Sequence, residues 1–206
     1  MSVTVLLVIL VPLALFGWLV SQAMPTPRER QLQRLRTHAR ERDVLVTLRQ
    51  LKDPDPDPAD RVSSGGKVRE PRLEVAAYAM PLRLPSSVEA RHAPTWRVQF
   101  LRNHADEAHD EGLLPGWRFE KAGLPLTGSA VAELSAFLAD APMGTAQIEG
   151  GSREIALCWR ERGEAAEVDA VADLLTRMVE WQTTLAADAA SAERAARAPD
   201  GEDPER

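Results

Sequence analysis

Thr145-Ala146-Gln147-Ile148-Glu149-Gly150-Gly151-Ser152-Arg153-Glu154-Ile155-Ala156-Leu157-Cys158-Trp159 reads as two strands folded back on one another. Residues 145–149 and 153–161 flank Gly150-Gly151-Ser152, and glycine supplies the positive φ that a tight hairpin turn asks for. In the second strand Ile155, Leu157 and Trp159 share one face, while Glu154, Ala156, Cys158 and Arg160 share the other. From about Glu164 to Ala190 the period changes. Val168, Val171, Leu175, Met178 and Leu185 then recur at helical spacing, predicting a long helix with a core-facing stripe.

Working outward, Thr127-Gly128-Ser129 introduces a helix near 129–140 with Val131, Leu134, Phe137 and Leu138 on one side, and Ala141-Pro142 stops it. Val44, Val46 and Leu48 alternate as a strand; Leu73 to Met80, Trp96 to Leu101 and Gly116 to Phe119 read as others. The expected fold is α+β: one small domain over 44–190, with an antiparallel sheet of about five strands and two helices. Within it Asp53-Pro54-Asp55-Pro56-Asp57-Pro58 cannot be helical, and its aspartates favour solvent. Residues 53–72 are therefore expected as a disordered insertion, and residues 191–206 as a disordered acidic tail.

The N-terminal segment, residues 1–27, has no charged side chain, and Val3 to Val20 are almost all apolar. A helix rises about 1.5 Å per residue, so roughly 20 apolar residues cross a bilayer. The stretch of about 3–24 is thus expected as a transmembrane anchor, with Pro12 as a kink and Trp18 at the headgroups. Residues 28–43 follow as a basic juxtamembrane helix started by Thr26-Pro27, with Leu32, Leu35 and Ala39 on one face. Between 28 and 52, eight Lys/Arg stand against three acidic residues, a local charge of +5. Basic residues stay in the cytoplasm, so the expected location is a bacterial inner membrane, single-pass, with the N-terminus outside. Arg28, Arg30, Arg34 and Arg36 are the expected contacts to anionic headgroups.

The whole chain carries −6, so the remainder carries −11, and an acidic body is repelled by nucleic acid. Cys158 is the single cysteine, which excludes an internal disulfide. Two imidazoles and four carboxylates gather at His104-Ala105-Asp106-Glu107-Ala108-His109-Asp110-Glu111. His104 and His109 are weak metal candidates: they are five apart, where a helical zinc motif places them four apart. Cys158 lies mid-strand with no histidine nearby in sequence, so a buried packing role is expected for it. Trp96, Trp117, Trp159 and Trp181 are expected core anchors, some of which could line a groove. No catalytic constellation and no cofactor motif is found.

Pro25-Thr26-Pro27-Arg28-Glu29-Arg30, Leu114-Pro115-Gly116-Trp117-Arg118 and a Gly-Gly hairpin before Ile155-Ala156-Leu157-Cys158-Trp159, combined with the single-span layout, resemble a family of uncharacterised bacterial inner-membrane proteins. Its members are sometimes labelled YajC-like subunits of the preprotein translocase. Three functions are expected from these features. The first is a non-enzymatic, membrane-tethered cytoplasmic scaffold with a protein partner in the inner membrane or cytoplasm. The second, which the resemblance implies, is an accessory role in protein export. The third is an exported metal-binding protein or enzyme.

Overall fold

In the computed structural model, residues 13, 15, 16, 18, 24–62, 65–103, 110–122, 126–161 and 163–197 are described. The chain divides into two compact units, Met1–Arg36 and Thr37–Arg206.

The first unit holds most of helix α1 (Pro27–Glu41). Thr26 and Glu29 form a reciprocal capping box. Thr26 N–H donates to Glu29 Oε2 at 2.6 Å, and Glu29 N–H donates to Thr26 Oγ1 at 3.2 Å. Pro27 occupies the first helical position, where its missing N–H costs nothing. The bond from the Thr26 backbone holds the Glu29 carboxyl below its ordinary range.

The structure corrects the membrane reading. Among the described residues no helix is both long and apolar enough to cross a membrane. Helix α1 is polar and 15 residues long, α2 (Gly128–Ala139) has 12 residues, and α3 (Ala165–Arg197) has 33 but carries charges from end to end. Of the expected span at 3–24, only Leu13, Leu15, Phe16, Trp18 and Met24 are described, and the other positions lie outside the described residues. Several expectations required such a helix and fall with it. They are the juxtamembrane role of residues 28–43, the bilayer as partner, and the single-pass inner-membrane location.

In the second unit α1 ends in a Schellman motif. Asp43 N–H bonds Arg40 O at 3.1 Å and Val44 N–H bonds Ala39 O at 3.0 Å, with Ala39 and Val44 both buried. His38 and Arg42 then tie this last turn to Asp169 and Asp173 of α3.

Among the described residues six strands form a single sheet, one more than expected: β1 (Leu45–Lys52), β2 (Arg72–Pro81), β3 (Trp96–Phe100), β4 (Trp117–Ala122), β5 (Thr145–Gly150) and β6 (Glu154–Trp159). Their order is β1-β2-β6-β5-β3-β4 and every pair is antiparallel. The β5–β6 hairpin thus sits between β2 and β3, which are neighbours in sequence. The two helices expected in the domain are α2 and α3, and the architecture of the described residues is α+β.

One face of the sheet packs on α3. Tyr78, Trp96, Val98, Ile148, Ile155, Leu157 and Trp159 are buried there, as are Val168, Val171, Leu175 and Met178 of the helix. The buried stripe passes through Gln182, Ala186 and Ala190, and the helix continues beyond its expected end at Ala190, through part of the expected tail, to Arg197. Gln182 is wholly buried and satisfied. It accepts from Trp96 Nε1 at 2.8 Å and donates to Pro94 O at 2.6 Å, which pins the helix to β3. Gly150 has no positive φ. A Cβ there would lie 2.4 Å from the Trp96 indole, so close packing, not turn geometry, demands the glycine.

The other face carries charge over small residues. Ala77 pairs with Cys158, and Ala79 with Ala156. All four are buried. Above them Arg49 of β1 reaches across two strands to Glu149 of β5 at 2.5 Å, and also bonds Glu154 at 3.2 Å. Arg97 joins Glu149 at 2.8 Å to Glu120 at 3.1 Å, and Gln99 donates to Glu120 and to Gln147. Small side chains on the intervening strands make room for the long ones that bridge them. Burial disfavours the charge on Arg49, but the bonds and field of Glu149 outweigh it and raise its pKa.

Candidate functional site

Proline and glycine shape one broad, largely apolar concavity among the described residues. Pro142 follows the end of α2, and Gly144 takes φ +86°. Thr145 donates to Pro142 O twice, from its N–H at 3.2 Å and from Oγ1 at 2.7 Å. Arg160 N–H holds Gly144 O at 3.1 Å. The turn is therefore fixed at both ends, and it thrusts Met143 outward to 92% exposure. Beneath it opens a cleft of about 650 Å³ whose walls are Leu73, Phe100, Trp117, Leu138, Pro142 and Met143. Phe100 and Trp117 pair as tilted rings, 5.4 Å between centroids. A volume of this size with mostly apolar walls is typical of small-molecule sites.

Three charged side chains edge the cleft: Arg102, Arg160 and Glu167. Arg102 is held by Asp53, whose buried Oδ2 accepts from Nη2 at 2.6 Å. Asp53 Oδ1 also accepts Asp55 N–H at 3.0 Å, and Asn103 Nδ2 donates to Asp55 O at 2.9 Å. The Asp-Pro alternation, expected within a disordered insertion with its aspartates in solvent, thus places two buried aspartates against the 102–103 corner. Glu167 packs on Gly163, where an added Cβ would meet its carboxylate at 1.8 Å. Arg160 has no ion pair among the described residues. The cleft therefore offers aromatic and aliphatic walls, a polarisable methionine lip and one guanidinium that forms no ion pair with a described residue.

A second depression, of about 450 Å³, lies at the hairpin end of the charged face and is lined in part by Arg97, Glu149 and Glu154. Those three groups already satisfy one another or Arg49, leaving little for a ligand.

Among the described residues there is no group of three or more His, Cys, Asp or Glu that could hold a metal ion. The expectation of an exported metal-binding protein is corrected on that ground, and its candidates His104 and His109 lie outside the described residues. Cys158 is buried beneath the charged ladder. Burial, aided by Glu149, pushes its thiol up to about 12, so the thiolate a nucleophile needs is suppressed. Of the tryptophans, Trp96, Trp159 and Trp181 belong to the buried core, and Trp117 lines the cleft. Sequence reasoning passed over Arg160, Met143 and Arg102. The one available signal was an apolar residue between Pro142 and Gly144, where a turn usually carries a polar one.

The chain matches no protein-family model, no curated protein and no solved structure. The resemblance to single-span, YajC-like inner-membrane proteins is corrected by this result and by the lack of a spanning helix among the described residues.

Proposed function

We propose that the domain binds a small amphipathic anion, an aryl or branched aliphatic carboxylate, in the cleft between the Pro142–Thr145 turn and the ends of β3 and β4. The observation that carries this is Arg160, a guanidinium without an ion pair among the described residues at the rim of an apolar cavity of about 650 Å³. A carboxylate there gains a charge-assisted hydrogen bond while its apolar part lies against Phe100, Trp117 and Leu138. Arg102, already neutralised by Asp53, contributes shape and a secondary donor. The lining supplies apolar contact and three charged side chains, Arg102, Arg160 and Glu167, a set that supports binding rather than turnover. The tethered-scaffold and translocase roles are set aside, since the anchor they required is not found among the described residues.

Calorimetric titration of the full chain with 4-phenylbutyrate, octanoate and the uncharged 4-phenylbutanol tests this. The carboxylates are expected to bind more tightly than the alcohol. In Arg160→Ala that preference is expected to fall by about tenfold, with the alcohol little affected. Equal affinity for acid and alcohol, or absence of binding by all three, would overturn the proposal.

A further inference from the structure

Every sheet that does not close has two edges, and the two edges here are not alike. Edge strands expose unpaired backbone donors and acceptors, and monomeric proteins protect them by shortness, charge or bulges. β4 has those protections. It is six residues long, its pairing with β3 is interrupted at Arg97–Val98, and it carries Arg118 and Glu120. β1 is neither short nor bulged, and its two charges are engaged, Lys52 at its last position with Glu70 at 3.2 Å. It runs for eight residues in unbroken register with β2, has no described partner on its other side, and exposes Leu45 to 58% and Leu48 to 71%. Its one central charge, Arg49, is turned onto the sheet face and bonded to Glu149 and Glu154.

We infer that β1 pairs with β1 of a second copy, antiparallel about a two-fold axis at Leu48, joining two sheets into one of twelve strands. The strand is self-complementary in that register. Leu48 meets its own symmetry mate, Leu45 meets Leu51, Val46 meets Gln50, and Thr47 stands opposite Arg49. The exposed leucines thus face apolar partners and no like charges oppose, as cross-strand energetics favour. A strand pair alone buries less than a standard interface, so the dimer is expected to be reversible. It stands apart from the cleft, which no residue of β1 lines.

Register-specific crosslinking of the full chain provides the test. Leu48→Cys brings two thiols together across the axis, within disulfide reach. Gln50→Cys places them four residues out of register, about 13 Å apart. Cys158 is buried and does not compete. Under mild oxidation at tens of micromolar, Leu48→Cys is expected to yield covalent dimer at least tenfold more than Gln50→Cys. Sedimentation velocity should show concentration-dependent dimer for the parent chain and its loss in Leu48→Glu. Equal yields from the two cysteine variants, no dimer from Leu48→Cys, or unchanged sedimentation of Leu48→Glu would each overturn the inference. The first of these outcomes is what association through some other surface produces.

Discussion

At Asp43 the backbone turns left-handed, with φ of 58°, and it is the one non-glycine among the described residues to do so. The position is the one just beyond a helix end where glycine is favoured, since any Cβ crowds the following carbonyl. Asp43→Gly should raise the stability of the domain by about 0.5–1 kcal/mol, read as a higher midpoint in thermal or urea unfolding. A lower midpoint would mean that the aspartate side chain makes a compensating contact. Residue-scale features of this kind were unevenly legible in the sequence. Thr26-Pro27 announces its helix start because capping chemistry is local. Gly150 misleads, because a turn glycine and a packing glycine look alike until Trp96, 54 positions earlier, is found lying across it.

Helix α3 is held to the sheet by polar as well as apolar contacts, and both kinds can be tested. Gln182→Leu keeps the volume but strands Trp96 Nε1–H and Pro94 O, both buried. A loss of about 2–4 kcal/mol in chemical denaturation is expected, more than a surface change on the same helix would give. Further along, Glu193 gathers His92 at 2.6 Å, Arg91 at 3.3 Å and Arg197 at 2.6 Å. His92 Nδ1 accepts Glu89 N–H, so Nε2 carries the proton given to Glu193. The bond from His92 holds the Glu193 carboxyl below its ordinary 4.5. A carboxyl with a lowered native pKa stabilises fully above 4.5, and that contribution is lost as pH falls through the native value. The melting difference between the parent chain and Glu193→Gln should therefore be present at pH 7 and shrink below pH 4.5. A difference independent of pH would rule out this linkage. The helix stripe was readable from periodicity as far as Met178. Past Trp181 and Gln182, buried alanines replace large side chains, and Ala186 and Ala190 look like surface composition until a partner is known.

Across the whole sheet, the ladder from Arg49 through Glu149 and Arg97 to Glu120 links β1, β5, β3 and β4. Glu149→Ala leaves two half-exposed guanidiniums without their main partner above Cys158. A destabilisation of about 2–3 kcal/mol is expected in urea unfolding, smaller than for a fully buried pair because water reaches these groups. No change would show that solvent replaces the carboxylate at no cost. Neither the ladder nor the cleft could be read from sequence, since both join residues from distant segments and depend on strand order. Alternation shows which residues share a face of one strand, not which strand lies beside it. The N-terminal apolar run dominated the functional expectation because it is a strong local signal, whereas Arg160 at the cleft rim is a weak one until Phe100, Trp117 and Leu138 surround it.

Strand order also governs when the sheet can form. β2 and β3 follow one another in the chain yet never pair, because β6 and β5 stand between them. During synthesis at about 5–20 residues per second, roughly 7–30 s pass before residue 145 is made. Until then the first four strands can form only two separate ribbons, each with an inner edge open to whatever strand is nearby. The last hairpin is the keystone that joins the halves, so folding is bound to be late, non-local and slow. A nascent chain stalled before Thr145 would present two adhesive edges that the finished protein never shows.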